Sequence, residues 1–282
     1  MQLHSIHSGN FKLDGGAMFG VVPKSLWQRT NPADDNNLCP WAMRLLLIET
    51  ERRLILIDTG IGNKQDQNFL KHYHLFGETN LDSELKKIGV HRNDITDVFL
   101  THLHFDHCGG ALELNSNGNP VPSFKNAVYW SNERHWQWAT QPNAREKASF
   151  LKENILPLHE SGQLRFIPRS DEVKTNWLPN IDVLFVDGHT DSQMLPLISQ
   201  HGKKILYTAD LLPSTGHIPL AWVMGYDTRP LITLDEKKRI LEEAAREEWV
   251  FFLEHDFYNE CCLLEQSEKG IRLKEAFPLS TI

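Results

Sequence analysis

Between Thr101 and Gly110 the chain reads Thr-His-Leu-His-Phe-Asp-His-Cys-Gly-Gly, placing His102, His104, Asp106 and His107 within six positions. All four can bind a divalent metal. Imidazole nitrogen and carboxylate oxygen suit Zn, Fe, Mn or Co, and suit Cu(I) or iron–sulfur clusters poorly. The apolar run Asp97-Val98-Phe99-Leu100 precedes them and predicts a buried strand. Alternate residues of a strand share a face, so His102 and His104 are expected to point the same way. Asp106 and His107 come once the chain has begun to turn, and Gly109-Gly110 are read as the backbone freedom for that turn. The spacing allows two ions side by side, His102 and His104 on one, Asp106 and His107 on the other.

Three further candidates lie far along the chain. His189 follows the apolar run Asp182–Val186, Asp210 follows Lys203–Thr208, and His255 follows Trp249–Glu254. Four separate strands thus end in a potential ligand. In layered α/β folds, sites collect where strand ends meet loops, so these residues are expected to converge. His4, His7, His72, His74, His91, His135, His159, His201 and His217 are read as surface or core histidines, with His217 the one to watch.

The elements that must position these groups can be read in outline. Asp14–Gly20 predicts a tight turn between two strands, and Leu45–Ile48 with Leu54–Asp58 a hairpin turning at Glu49–Arg53. Gln65–Leu75 and Leu81–Ile88 read as helices, and Ala127–Trp130 as a strand. Ser131–Thr140 and Ala144–Leu156 read as helices, the second stopped by Pro157. Leu164–Ile167 is a further strand, and Gln193–Ser199 with Lys203–Thr208 form a hairpin across His201-Gly202. Leu211–Pro230, rich in Pro, Gly and aromatics, reads as a loop lining a site. Thr233-Leu234-Asp235-Glu236 fits a capping box opening a helix to Glu247, and Cys261–Glu265 with Ile271–Lys274 form a last hairpin.

Composition bounds the function classes. The 282 residues carry a net charge of −8 with no basic stripe, which argues against nucleic acid as a partner and for a small-molecule substrate. No apolar stretch is long enough to span a membrane, and Met1–Ser5 does not open a signal peptide. Cys39, Cys108, Cys261 and Cys262 show no CxxC pair, so a reduced cytoplasm is the expected location. With no internal linker or repeat, residues 1–282 are read as one domain, and the apolar N-terminal segment leaves a homodimer open.

His102-Leu103-His104-Phe105-Asp106-His107, followed by Gly188-His189, Asp210 and His255, resembles the complete binuclear motif of the metallo-β-lactamase superfamily. Asp58-Thr59-Gly60 matches it as well, and the likeness extends over residues 45–255. The resemblance implies an α/β fold, a four-layer αβ/βα sandwich of two mixed β-sheets flanked by helices, with the site along one edge. It implies that His102, His104 and His189 bind one metal, that Asp106, His107 and His255 bind the other, and that Asp210 bridges them. Asp58 would then accept a hydrogen bond from a ligand imidazole and fix its tautomer. The motif is most similar to the N-acyl homoserine lactonase and methyl-parathion-hydrolase-like branches. Pro213, however, stands where lactonases carry a tyrosine.

The chemistry expected is hydrolysis. Two divalent ions, Zn first among them and Fe, Mn or Co next, share a water and lower its pKa from ~16 towards ~7. The metal-bridging hydroxide then cleaves an ester, lactone or related bond of a small apolar substrate. Asp106 or Asp210 is expected to pass the proton, and His217 to hydrogen-bond substrate or protonate the leaving group. Met18, Phe19, Trp27, Phe105, Trp222 and Met224 are the expected rim. The alternatives are a phosphotriester hydrolase of the same fold, a mononuclear iron sulfur dioxygenase, and a non-catalytic metal-stabilised binding module.

Overall fold

The structure is a computed structural model that describes residues 1–170 and 174–282. The chain divides into two compact units, Met1–Gly9 with Met43–Asp171, and Asn10–Ala42 with Glu172–Ile282. In chain order the first strands are β1 (Gln2–Asp14), β2 (Leu38–Glu49), β3 (Leu54–Ile57), β4 (Asp97–Phe99), β5 (Leu112–Leu114), β6 (Pro120–Pro122), β7 (Val128–Ser131) and β8 (Leu164–Phe166). They are followed by β9 (Lys174–Leu178), β10 (Ile181–Val186), β11 (Gln193–Gln200), β12 (Lys203–Tyr207), β13 (Val250–Phe252), β14 (Cys261–Ser267) and β15 (Gly270–Phe277). The helices are α1 (Gly15–Phe19), α2 (Lys24–Trp27), α3 (Gln67–Leu70), α4 (Leu81–Lys87), α5 (Phe105–Cys108), α6 (Glu133–Thr140), α7 (Lys152–Glu160) and α8 (Pro230–Glu247).

A six-stranded sheet runs in the order β1-β2-β3-β4-β7-β8. It is mixed, since β2 pairs antiparallel with β3 while β3–β4, β4–β7 and β7–β8 are parallel. The core of the first unit joins this sheet to its helices: Leu45, Leu47, Leu56 and Val98 pack with Leu81 and Leu85 of α4 and with Ile155 and Leu158 of α7. Leu81 and Leu85 share one helical face, and Asn80 caps α4 by accepting the Ser83 N–H.

The second unit holds a seven-stranded sheet ordered β15-β14-β13-β12-β11-β10-β9. Its pairings are antiparallel except β12–β13, which are parallel because the long α8 crossover returns the chain in the same direction. Helix α8 opens with Pro230, whose missing N–H costs nothing in a first turn, and packs on β14. No helix among the described residues is long and apolar enough to cross a membrane.

The hairpins and the strands before each candidate ligand stand where the pattern placed them. Four expectations are corrected. Asp14–Gly20 forms a one-turn helix, with the Asp14 carboxylate accepting the Ala17 N–H, in place of a tight turn. Helix α7 begins at Lys152 and contains Pro157 instead of ending before it. Proline in the second turn removes only the N–H that would meet the Glu153 carbonyl. The segment 65–75 is helical only over Gln67–Leu70, continued by a 3-10 turn at Lys71–Tyr73. The Thr233–Glu236 capping box does not form, because α8 starts three residues earlier and Glu236 bonds elsewhere.

Candidate metal centre

In the first unit, β3 and β4 end side by side; the four candidate ligands follow β4 and Asp58 follows β3. The chain leaves β4 at Phe99, so His102 and His104 lie on an extended loop past the strand, and Asp106 and His107 on the single turn of α5. Asp58, just past β3, organises this loop. Its Oδ1 accepts the Thr101 N–H (2.8 Å), and its Oδ2 accepts the Thr101 hydroxyl (2.7 Å) and His107 Nδ1–H (3.0 Å). Thr101 Oγ1, having donated to Asp58, accepts from His102 Nδ1–H at 3.1 Å. One buried carboxylate thus fixes two imidazoles, His107 directly and His102 through a hydroxyl, and leaves both Nε2 atoms as lone-pair donors.

Two observations test whether these groups fit a metal. His102 Nε2 stands 3.0 Å from His104 Nδ1. Two nitrogens on one tetrahedral zinc at about 2.0–2.1 Å stand roughly 3.3 Å apart, so the pair is already spaced for a shared cation. Asp106 Oδ2 and His107 Nε2 lie 3.8 Å apart, with the His107 and His102 rings adjacent at 3.9 Å. His102 and His107 are fully buried and His104 nearly so, leaving no water shell to screen a bound charge.

The glycines after the ligands act differently from the sequence expectation. Gly109 has ordinary helical dihedrals (φ −59°, ψ −40°). A Cβ there would sit 2.2 Å from the Ile61 carbonyl oxygen, and one on Gly110 2.2 Å from that of Thr59. Their role is close approach of the β3 exit, where the Thr59 hydroxyl donates to the His107 carbonyl at 2.8 Å. His135, read as an ordinary core histidine, is another positioning group: its Nε2 accepts the Leu103 N–H, between the two loop ligands, at 2.9 Å.

In the second unit, His189, Asp210 and His255 follow β10, β12 and β13 and meet around one carboxylate. His189 Nε2 lies 3.1 Å from Asp210 Oδ2, and His255 Nε2 lies 3.1 Å from Asp210 Oδ1. Each oxygen of Asp210 therefore faces a different imidazole. His255 Nδ1–H donates to the Ala42 carbonyl (2.8 Å), which leaves Nε2 as the lone-pair atom. His189 Nδ1 bonds Asp227 Oδ1 at 3.0 Å. Burial pushes the His189 imidazolium pKa down, but Asp210 and Asp227 on its two sides outweigh this and raise it to about 10. The site is built to hold positive charge at that ring.

The His189 loop is anchored by α8. The Glu236 carboxylate accepts the Asp187 and Gly188 N–H groups at 2.6 and 3.0 Å, and Gly188 lies so close to Thr233 that a Cβ would be 2.4 Å from its backbone nitrogen. Asp227 acts on His189, 38 positions away, and Glu236 on Asp187, 49 positions away, partners that no local pattern identifies.

His217 is placed against its expected role. It is buried, its Nε2–H donates to the Met18 carbonyl (2.9 Å), and its Nδ1 accepts from the Ser214 hydroxyl (2.8 Å). Phe19 stacks on it at 4.3 Å, with Trp27 stacked beyond at 5.2 Å. Burial lowers its pKa to about 3. Neither nitrogen is left to serve a substrate, so the ring is a packing and hydrogen-bonding group. Met18, Phe19, Trp27 and Met224 are likewise buried, while Trp222 is half-buried and Phe105 packs against Phe69 and Tyr73.

An N-acyl homoserine lactonase of Bacillus cereus is 26% identical over 274 residues, covering 92% of this chain and 94% of that protein. A probable metal-dependent hydrolase from Staphylococcus aureus superposes with a TM-score of 0.87 at 28% identity, covering 100% of this chain and 98% of that one. AidC, a dizinc quorum-quenching lactonase, shares the fold with a TM-score of 0.77 at 23% identity over 98% of this chain and 94% of its own. Two mixed sheets with helices are the fold class expected. The superfamily profile matches residues 45–255, a span that runs from β2 to the last histidine of the ligand set, and the chain belongs to the metallo-beta-lactamase superfamily.

Proposed function

We propose that this metal-dependent hydrolase opens a lactone or a related ester of a small apolar substrate. We further propose that its two units act as one functional domain around a pair of divalent ions. His102, His104 and His189 would hold one ion, Asp106, His107 and His255 the other, and Asp210 would lie between them. The observation that carries this reading is Asp210 itself. A carboxylate with one imidazole Nε2 at 3.1 Å from each oxygen has the arrangement a bridging ligand requires.

Zinc is the first candidate for such a nitrogen and oxygen set, with Fe, Mn or Co as alternatives. When bound, a pair of divalent ions supplies an acidified water as nucleophile and draws charge from the scissile carbonyl. The remaining work falls to the chain. Asp58 and Asp227 keep the ligand imidazoles in their metal-binding tautomers. The Asp106 side chain is 13% exposed, the least enclosed of the ligand groups, and is suited to carry a proton from the attacking water to the departing ring oxygen. With Pro213 at the lactonase tyrosine position, no phenol is available there to share that task. Hydrolysis adds one water, breaks the acyl C–O bond and releases a hydroxy acid. The likeness to N-acyl homoserine lactonases over nearly the whole chain supports the lactone class.

The test is a panel of lactones, esters and phosphotriesters on Zn-, Mn- and Fe-loaded protein, with metal content measured and Asp210→Asn as control. Two ions per chain and oxygen-independent turnover, lost in the variant, are expected. One iron with oxygen uptake would replace hydrolysis by sulfur oxygenation. Inactivity of metal-replete protein across the panel would end the enzymatic reading.

A further inference from the structure

One buried acid in the first unit has no part in the ligand set. Glu146 lies in the turn between α6 and α7 and is 3% exposed. Its Oε2 accepts two hydrogen bonds, from Trp138 Nε1–H at 2.7 Å and from Asn143 Nδ2–H at 2.6 Å. Its Oε1 faces His104 Nε2 at 3.5 Å. His104 turns its other nitrogen, Nδ1, to His102 Nε2. The carboxylate therefore lies on the Nε2 side of the imidazole, away from the shared nitrogen pair, at ion-pair distance and not in a hydrogen bond.

The surrounding segment is tied to the same loop at three more points. His135 takes the Leu103 N–H, the Ser149 carbonyl takes the Phe105 N–H at 3.0 Å, and the Phe150 ring lies 4.7 Å from the His104 ring. The backbone at Asn143 is itself locked, its Oδ1 accepting the Arg145 and Glu146 N–H groups. A carboxylate buried to this extent costs several kcal/mol unless positive charge lies close by. A cation on His104 Nδ1 would polarise the Nε2–H and strengthen its attraction to the carboxylate.

We infer that Glu146 is a positioning residue for the metal centre: its carboxylate keeps the His104 proton on Nε2, so that Nδ1 holds its lone pair for a divalent cation. The inference rests on the reading that His104 is a metal ligand. It extends to a third imidazole the device that Asp58 applies to His107 and Asp227 to His189. The glutamate charge matters here as well as its shape. In Glu146→Gln, the donors of Trp138 and Asn143 claim the single amide oxygen. The amide NH2 is then aimed at His104 Nε2, which favours the proton on Nδ1, where it competes with the metal.

The experiment compares wild type, Glu146→Gln and Glu146→Ala as full-length protein. Thermal melts of the metal-free forms check folding, and chelator competition measures zinc affinity. Long-range 15N–1H correlation of histidine-labelled, zinc-loaded protein reads the His104 tautomer. Wild type is expected to bind zinc with His104 in the Nε2–H form. Glu146→Gln is expected to lose about 10–100-fold in affinity at one of the two ions, with a changed His104 signal and a melt close to wild type. Glu146→Gln matching wild type in affinity and tautomer overturns the inference and leaves the proposed function standing. Wild type that takes up no zinc overturns the proposed function, and this inference with it. If Glu146→Ala does not fold, the glutamine variant decides.

Discussion

Asp58 adopts φ 59°, a left-handed conformation that costs most residues steric strain and that, glycine aside, Asp and Asn tolerate best. At that angle its carboxylate reaches the Thr101 N–H, the Thr101 hydroxyl and His107 Nδ1–H together. Asp58→Asn keeps the backbone conformation and removes the charge. It is expected to fold normally and to bind zinc about 10–100-fold more weakly in a chelator competition. Unchanged affinity would mean that the histidines orient themselves without it. His217 yields a residue-scale prediction of a different kind. Its folded-state pKa of about 3 lies below the roughly 6.5 of an unfolded chain, so the unfolded state binds the extra proton between those values. The stability tied to this neutral ring is full above about pH 6.5 and is lost as pH falls towards 3. Between pH 7 and 4.5, urea denaturation of metal-free wild type should lose about 2–3 kcal/mol more than His217→Gln, which cannot titrate. A difference independent of pH would place the ring in solvent.

At the scale of elements, short connections carry the candidate ligands and longer elements brace them. Helix α5 is one turn long, and its position is set by Gly109 and Gly110 lying against the β3 exit. Because Gly109 has dihedrals open to any residue, Gly109→Ala tests space alone. The added methyl meets the Ile61 carbonyl at 2.2 Å and must displace backbone. A loss of about 2–3 kcal/mol in urea unfolding is expected, together with weaker zinc binding. A neutral substitution would show that α5 shifts freely. Helix α8 braces the His189 loop in the same way, through Glu236 and through Thr233 packed on Gly188. Of the expected Thr-x-x-Glu box only Glu236 accepts backbone N–H groups, and these belong to the β10 exit and not to the helix's own first turn, while the Thr233 hydroxyl donates to the Arg229 carbonyl.

At the scale of the whole molecule, the proposed metal pair would couple the stability of every segment that supplies a ligand. An ion at a thousand times its Kd stabilises by about 4 kcal/mol, which for a chain of this size moves the melting midpoint on the order of 10 °C. Calorimetry of zinc-loaded protein is expected to show one transition, shifted down by at least that much when a chelator removes the metal. A chelator-insensitive midpoint would count against any structural metal pair. The ligand motif, the strands before His189, Asp210 and His255, and the mixed α/β class were all legible along the chain, because apolar runs and ligand spacing are local properties. Tertiary structure alone decided what stands behind each ligand. Asp227, His135 and Glu146 act on residues about thirty to forty positions away, and no periodicity relates them. It also decided that His217 is sealed in an aromatic stack and that the glycines after His107 serve close packing. Burial and close approach depend on which segments the fold brings together, and side-chain types in sequence order do not contain that information.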